Sequence, residues 1–356
     1  MKIGILTFHY PENRNYGALL QLYALYTIVK RLGHKPYVIN YQFWEKPKVF
    51  TIKLYEIVDY IFTVFPFEIF SRKYLLNKTQ RVNTHTANIL NNKIDTFIVG
   101  SDQVWRYKYI DNIYDFFFAF VDDNHRKISY AASFGIDTWS EAPYEATENI
   151  KKLLKRFHAV SVREESGVSI CKQLEKDAIM VLDPVFLLSR QDYNKLISSK
   201  QNNSKGTYIA KLLFDEHPEC TQTIKSFSDY LKLSIVDLNG LKIPLINTIL
   251  RKHSVRSWLK YIRDSRIVIT DSFHCTAFCL IFNKPFICVL NKSRGIARLE
   301  SLLKIVGLKD RMLTPSATGI DEFIMLYNKV IDYTLINEEL QPYKEKSLHF
   351  LIENLV

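Results

Sequence analysis

The feature that most constrains this chain is a repeated rhythm. A short apolar run ends in glycine or a small polar residue and leads into a segment of helical periodicity. Lys2–Thr7 is β-rich, a loop with Pro11, Asn13, Asn15 and Gly17 follows, and Ala18–Leu32 carries apolar residues at helical spacing. Gly33 stands where a C-terminal helix cap belongs, and Tyr37–Tyr41 is the next expected strand. Strand, helix, strand is a βαβ unit, whose strands are parallel and whose crossover is right-handed. The rhythm recurs at Phe97–Val99 before Gly100, at Ile128–Ala132, and at His158–Val162 ahead of a helix from Glu165. Ile179–Leu182 then closes on Asp183-Pro184.

Beyond Leu188 the chain turns polar, and Gln201–Lys205 (QNNSK) reads as a linker. Alternation resumes with strands at Tyr208–Leu213, Leu233–Leu238, Ile267–Thr270 and Pro285–Val289. Helices are expected at Cys220–Tyr230, Trp258–Arg263, from near Ser272, and at Glu339–Leu355. The chain's 356 residues exceed the roughly 250–300 at which a single core stops growing. The expected architecture is therefore α/β, with two Rossmann-like doubly wound domains facing across a cleft. Their expected extents are residues 1–190 and 205–330, with a closing helix over 335–356.

Composition narrows the function classes. Hydrophobic residues at 47% and charged residues at 24% are ordinary for a globular protein. The start MKIGILTFHY leads straight into Pro11-Glu12-Asn13-Arg14, which does not resemble a signal peptide. Ile57–Phe70 contains Asp59, Pro66 and Glu68, and Thr276–Leu290 is broken by Asn283-Lys284-Pro285. Neither supplies the roughly 18–20 apolar residues of a membrane span. Five scattered cysteines without a C-x-x-C pair argue against disulfides and structural zinc and suit a reducing compartment. The expected location is cytoplasmic, at most on the inner face of a membrane. The net charge of +11 suits an anionic partner, but the basic residues are dispersed and form no nucleic-acid motif. A phosphorylated substrate or lipid-phosphate acceptor is expected, not nucleic acid. The aromatic, basic Trp44–Arg72 stretch reads either as an acceptor or membrane-surface region or as a helical insertion on the first domain.

Open α/β sheets bind ligands at the C-terminal ends of their strands, and four such exits carry unusual residues. Asn13-Arg14-Asn15-Tyr16-Gly17-Ala18, with Gln21 in the first helical turns, could present backbone amides to an anion or be a plain connection. In Gly100-Ser101-Asp102-Gln103-Val104-Trp105, Asp102 or Ser101 could cap a helix. A cap alone does not call for Gln103 beside Trp105, a pairing that suits a sugar-binding surface. In Ser161-Val162-Arg163-Glu164-Glu165, the arginine leaves a buried strand, where a charge needs an anion. That anion is either an internal glutamate or a ligand phosphate or carboxylate. In Thr270-Asp271-Ser272-Phe273-His274, Asp271 or Ser272 can cap a buried helix carrying His274 in its first turn. That position suits acid–base work or a phosphate contact. Asn291-Lys292-Ser293-Arg294, with Arg298, adds a basic loop after another strand.

Taken in order, MKIGILTF…NYGALLQLYAL, FIVGSDQVW, ISYAASFG, VSVREESG, VLDPVFLL, VITDSFHCTAFCLIFNKPF and NKSRGIARLESLL resemble the polysaccharide pyruvyltransferase family. They run from residue 1 to about 304, and GSDQVW with TDSFH…NKPF is the most specific pair. The resemblance implies a fold similar to GT-B glycosyltransferases, with an acceptor side in the first domain and a donor side in the second. It implies phosphoenolpyruvate as donor substrate, no further cofactor and no metal, and a glycan or lipid-linked saccharide as acceptor. His274 corresponds to the family's catalytic histidine, and Arg163 and Arg294 to residues holding the donor's phosphate and carboxylate, with Ser272 beside them. Asp102 or Asp271 would act as base or orient the sugar, and Asn15, Tyr16, Gln21, Gln103 and Trp105 would face the acceptor. The family usually has glycine after this histidine, where Cys275 stands here. Two other readings use the same features: a nucleotide-sugar glycosyltransferase on this scaffold, and a non-catalytic glycan-binding protein. Oligomeric state is not legible in the sequence.

Overall fold

The computed structural model describes residues 1–42, 54–197, 205–215, 217–243, 248–291, 295–314 and 319–356. The chain divides into two compact units. One comprises Met1–Ile52, Ser71–Leu187 and Pro342–Val356; the other comprises Lys53–Phe70 and Leu188–Gln341.

The first unit is built on a parallel six-stranded sheet. Its strands are β1 (Lys2–Leu6), β2 (Lys35–Val38), β3 (Thr96–Val99), β4 (Arg126–Ala132), β5 (Ala159–Val162) and β6 (Ile179–Met180). Their order is β2-β1-β3-β4-β5-β6. The chain leaves β1 toward β2 and returns to the other side as β3, so the crevice between the ends of β1 and β3 is the switch point where such sheets bind ligands. The helix Tyr16–Arg31 forms the β1–β2 crossover, as the apolar spacing predicts, and the asparagine side chain of Asn15 caps it. Gly33 follows it with φ at +86°, a backbone setting that glycine takes without strain.

An aromatic core lies beside this sheet. Trp105, Phe116, Phe117, Phe118, Phe134 and Phe157 are buried together with Phe97 of β3. The Trp105 and Phe117 rings stack with centroids 4.9 Å apart. Full burial of one such side chain contributes about 1.5–3 kcal/mol.

The second unit holds β7 (Tyr208–Leu212), β8 (Ser234–Asp237), an antiparallel hairpin of β9 (Leu241–Ile243) and β10 (Thr248–Arg251), then β11 (Ile267–Thr270), β12 (Phe286–Val289) and β13 (Met312–Leu313). Its parallel sheet runs β13-β12-β11-β7-β8, so the switch point lies between β7 and β11. The helix Phe273–Phe282 is buried on nearly every side, as its almost unbroken apolar sequence requires. Phe278 sits edge-on between Trp258 and Tyr193, at ring-centroid distances of 5.7 and 4.9 Å.

Two features depart from the sequence expectation. The segment Lys53–Phe70, helical from Leu54, groups with the second unit although it interrupts the first in sequence. The Lys252 amide, just past β10, donates to the Phe62 carbonyl at 2.9 Å. Of the Trp44–Arg72 stretch, residues 44–53 lie outside the described residues, and Ile57, Val58, Ile61 and Ile69 are exposed. The terminal helix begins before the expected Glu339, running Tyr333–Asn354, and Pro342 stands inside it where the chain passes from one unit to the other. Its last turns dock on the first sheet. Ser347 Oγ accepts from the Leu182 amide at 2.8 Å, and Arg126 donates to the Asn354 carbonyl at 3.2 Å.

Among the described residues, no helix is long and apolar enough to cross a membrane, and no group of three or more His, Cys, Asp or Glu could hold a metal ion.

Candidate functional site

In the first unit the predicted residues gather at the switch point. Thr7, just past β1, donates its hydroxyl to the Ser101 carbonyl past β3 at 2.6 Å. Gln21 donates its amide to Thr7 Oγ1 and to the Ala18 carbonyl, both at 2.9 Å, so its orientation is fixed. Its buried Oε1 has no hydrogen-bond partner among the described residues. Asn15 uses its carbonyl oxygen on the Ala18 amide at 3.1 Å, and Tyr16 is buried.

The Gly100–Trp105 loop is locked to the loop after β4. Asp102 has φ at +90°, rare for a residue with a side chain, and Ala131 in β4 has φ at +53°. Asp102 accepts the Ser133 amide through its carbonyl at 3.0 Å, and Ser133 in turn accepts the Trp105 amide at 3.1 Å. Gln103 lies against Gly135, where an added Cβ would fall 2.8 Å from the glutamine side chain. Strained backbone of this kind costs of order 1–3 kcal/mol and clusters at functional sites.

Arg163 has internal carboxylate partners. Its side chain is fully buried and forms ion pairs with Asp183 at 2.9 Å and Asp102 at 3.4 Å. It also donates to Ser101 Oγ at 3.3 Å, and Ser101 donates to Asp183 at 2.7 Å. Its nearest anions are these internal aspartates, distant in sequence, with the adjacent Glu164 at 4.0 Å. Glu164 mainly serves the neighbouring loop: its Oε1 accepts from Ser133 Oγ, the Phe134 amide and the Gly135 amide at 2.9, 2.8 and 3.2 Å. Arg163 thus holds Asp102 and the ends of β3, β5 and β6 in one network. Trp105 needs a plain correction as a sugar-facing ring. It is fully buried, and its Nε1 donates to the Phe116 carbonyl at 3.0 Å, so its amphipathic character is satisfied inside the core.

In the second unit Asp271, Ser272 and His274 lie just past β11, at the switch point. Ser272 caps the helix Phe273–Phe282 by accepting the Cys275 amide at 3.4 Å. His274 lies in the first turn, 6% exposed, with its ring edge-on to Phe273 at 5.2 Å. The orphan amides of such a terminus favour a bound anion. Asp271 is clamped from both neighbouring strands. Its carboxylate accepts the Phe214 amide at 3.0 Å and the Asn291 side-chain amide at 2.8 Å. Asn291 also donates to Asp215 at 2.8 Å. Burial pushes the Asp271 carboxyl above the usual carboxylate range, and nearby Asp215 pushes the same way, against the hydrogen bonds from Asn291, Phe214 and Asp215. Arg298 is the described cation of the basic segment, with its guanidinium 6.0 Å from the Phe273 ring centroid. Arg294 lies outside the described residues. Cys275 is fully buried, a free thiol in hydrogen-bond contact with the free thiol of Cys279, so its side chain is taken up by the helix packing.

His9, beside the first unit's crevice, titrates with the fold. Burial pushes its imidazole down to about 4, and its ring Nδ1 lies 2.9 Å from the Thr7 carbonyl. A neutral ring donating to that carbonyl satisfies the contact. The unfolded chain takes up its proton first, near pH 6.5, so this contribution to stability is complete above that pH and lost as pH falls toward 4. The loss approaches about 3 kcal/mol. The melting temperature should therefore drop between pH 7 and pH 5, with a shallower slope in His9→Gln. An unchanged slope in that variant would remove His9 from the account.

A sequence model described as polysaccharide pyruvyl transferase matches residues 15–293. The chain belongs to the polysaccharide pyruvyl transferase family. It is thus a transferase by family, and the match spans both switch points. No curated protein sequence matches it. Among solved structures, a UDP-N-acetylglucosamine 2-epimerase described as putative, from Listeria monocytogenes, is 10% identical with a TM-score of 0.56, covering 99% of this chain and 94% of that one. The Rickettsia bellii UDP-N-acetylglucosamine 2-epimerase is 11% identical with a TM-score of 0.53, covering 99% and 98%. The likeness is one of fold.

Sequence reading missed the clamp on Asp271 from Phe214 and Asn291, although both lie just past apolar strands. It also passed over the loop from Tyr107 to Asn112, whose mixed aromatic and polar residues line an open cleft with Phe8, Asn13, Tyr41 and Thr84.

Proposed function

We propose that the chain transfers the pyruvyl group of phosphoenolpyruvate to a sugar of a surface polysaccharide or its lipid-linked precursor, forming a cyclic ketal. The observation that carries this reading is the second unit's switch point. There a serine-capped helix N-terminus, a histidine in its first turn and a buried aspartate of raised proton affinity occupy the stretch that the family model matches.

The chemistry asks for those groups. Protonation of the donor's methylene carbon makes the adjacent carbon electrophilic, and a sugar hydroxyl adds there while losing its proton. Phosphate leaves with the C–O bonding pair, and a second sugar hydroxyl closes the ring and gives up its proton. In this reading the helix terminus and Ser272 receive the phosphate, with Arg294 and Arg298 supplying charge. His274 protonates the methylene carbon or donates to the leaving phosphate, and Asp271 takes or holds a hydroxyl proton. In the first unit Asp102, with Gln21 and Gln103 near it, orients the acceptor, while Arg163 acts through Asp102 as a positioning residue.

Thermal melting with phosphoenolpyruvate, inorganic phosphate and UDP- or GDP-sugars tests the reading. A ligand at about 100 times its Kd adds about 2.7 kcal/mol, a shift of several degrees for units of this size. Phosphoenolpyruvate should stabilise well beyond phosphate, and Arg294→Ala should abolish the difference. Stabilisation by a nucleotide-sugar with indifference to phosphoenolpyruvate would replace this reading with glycosyl transfer, and no response to any of them would favour glycan binding without catalysis.

A further inference from the structure

We infer that the first unit carries a carbohydrate subsite, distinct from the Arg163 network, in the cleft between Tyr41 and Tyr109. It is lined by Phe8, Asn13, Tyr41, Lys108, Tyr109 and Asn112, among others, and holds about 560 Å³. That lies within the roughly 300–1,000 Å³ typical of small-molecule sites. Calling its occupant the acceptor rests on the pyruvyl-transfer reading; the subsite itself does not.

The walls are built to stay in place. Asp115 is 2% exposed and gathers donors from three segments of the chain: the Tyr41 hydroxyl, Thr84 Oγ1 at 2.7 Å and Asn112 Nδ2 at 3.0 Å. With its amide hydrogens directed to Asp115 and to Thr84 at 3.2 Å, Asn112 keeps its carbonyl oxygen for a ligand hydroxyl. Tyr109, also in the lining, is 44% exposed but held by Arg106. Arg106 donates to its hydroxyl at 2.6 Å, and the guanidinium lies 4.2 Å from the ring centroid. Arg106 is itself tied to Gln103 at 3.3 Å and paired with Glu141 at 3.6 Å. The ring is a fixed platform at low entropic cost.

The lining chemistry selects the ligand class. A pyranose offers faces of C–H groups bordered by hydroxyls, and here rings alternate with two asparagines and a threonine. The charged lining residues are one lysine and one aspartate, Lys108 and Asp111, which gives no excess of positive charge for a di- or triphosphate. A neutral sugar fits this cleft better than a nucleotide.

Saturation-transfer NMR with a panel of methyl hexosides and N-acetylhexosamine disaccharides tests the subsite. The wild type should transfer saturation to ring protons of at least one sugar, and Tyr109→Ala should weaken that binding about tenfold, the scale of losing one well-placed ring. Because Tyr109 is largely at the surface, the variant should fold, which its melting curve checks. No transfer to any saccharide, or equal binding by wild type and both Tyr109→Ala and Asn112→Ala, would overturn the subsite. The phosphoenolpyruvate shift measured on the same samples separates the two readings. Sugar binding lost in Tyr109→Ala without any phosphoenolpyruvate response upholds the subsite and rejects pyruvyl transfer; the reverse pattern rejects the subsite alone.

Discussion

Arg163→Ala should cost the protein about 3–5 kcal/mol of stability, the scale of breaking a buried ion pair by removing one partner. The guanidinium and the Asp183 carboxylate are both fully buried, and Asp102 is nearly so. Removing the cation takes away the buried ion pair of Asp183, whose contacts with Ser101 and the backbone remain. Arg163→Lys should recover only part of the loss, because an ammonium cannot reach Asp183, Ser101 and Asp102 with one planar fork. Urea unfolding of the three proteins measures this. Truncating both partners, Arg163→Met with Asp183→Leu, should cost less than the sum of the single changes. A melting curve for Arg163→Ala that overlays the wild type would show that the network contributes nothing. The reading of Arg163 as an anchor for Asp102, and not as a donor clamp, would then fail. The same substitution is expected to lower turnover through Asp102. Donor affinity, read from the phosphoenolpyruvate shift, should change little in protein that remains folded.

His274→Ala should lower kcat for pyruvyl transfer by about 10²–10⁴-fold, the usual contribution of a positioned acid or base. The side chain is buried in a helix's first turn, so the melting curve of the variant is measured first, and turnover is compared in protein that remains folded. The informative contrast is with Asp271→Asn, which keeps the shape of the side chain that Phe214 and Asn291 hold. If Asp271 moves a proton, Asn should depress kcat and flatten one limb of the pH profile while sparing KM. If it only positions the strand ends, Asn should shift both constants modestly and leave the profile's shape alone. Near-wild-type turnover by His274→Ala would remove the histidine from the mechanism.

The sequence by itself determined the βα rhythm and, with it, where chemistry could sit. Apolar runs ending in Gly100, Thr270 or Val289 cannot continue as strands through the polar residues that follow, so those residues fall at strand exits. Local spacing placed a cap at Asp271 or Ser272 and His274 in the first helical turn; the folded structure chose Ser272 and gave Asp271 to Phe214 and Asn291. What spacing cannot carry is pairing between distant segments. Arg163 lies 20 residues from Asp183 and 61 from Asp102, so only the folded sheet decided that its anions are internal. Trp105 read as a ligand-facing ring because it follows polar residues, yet the sheet places it against Phe116 and Phe117. The grouping of Lys53–Phe70 with the second unit and the cleft between Tyr41 and Tyr109 were likewise decided by tertiary structure. Local periodicity records which face of an element is buried; which distant element buries it is fixed only when the chain has folded.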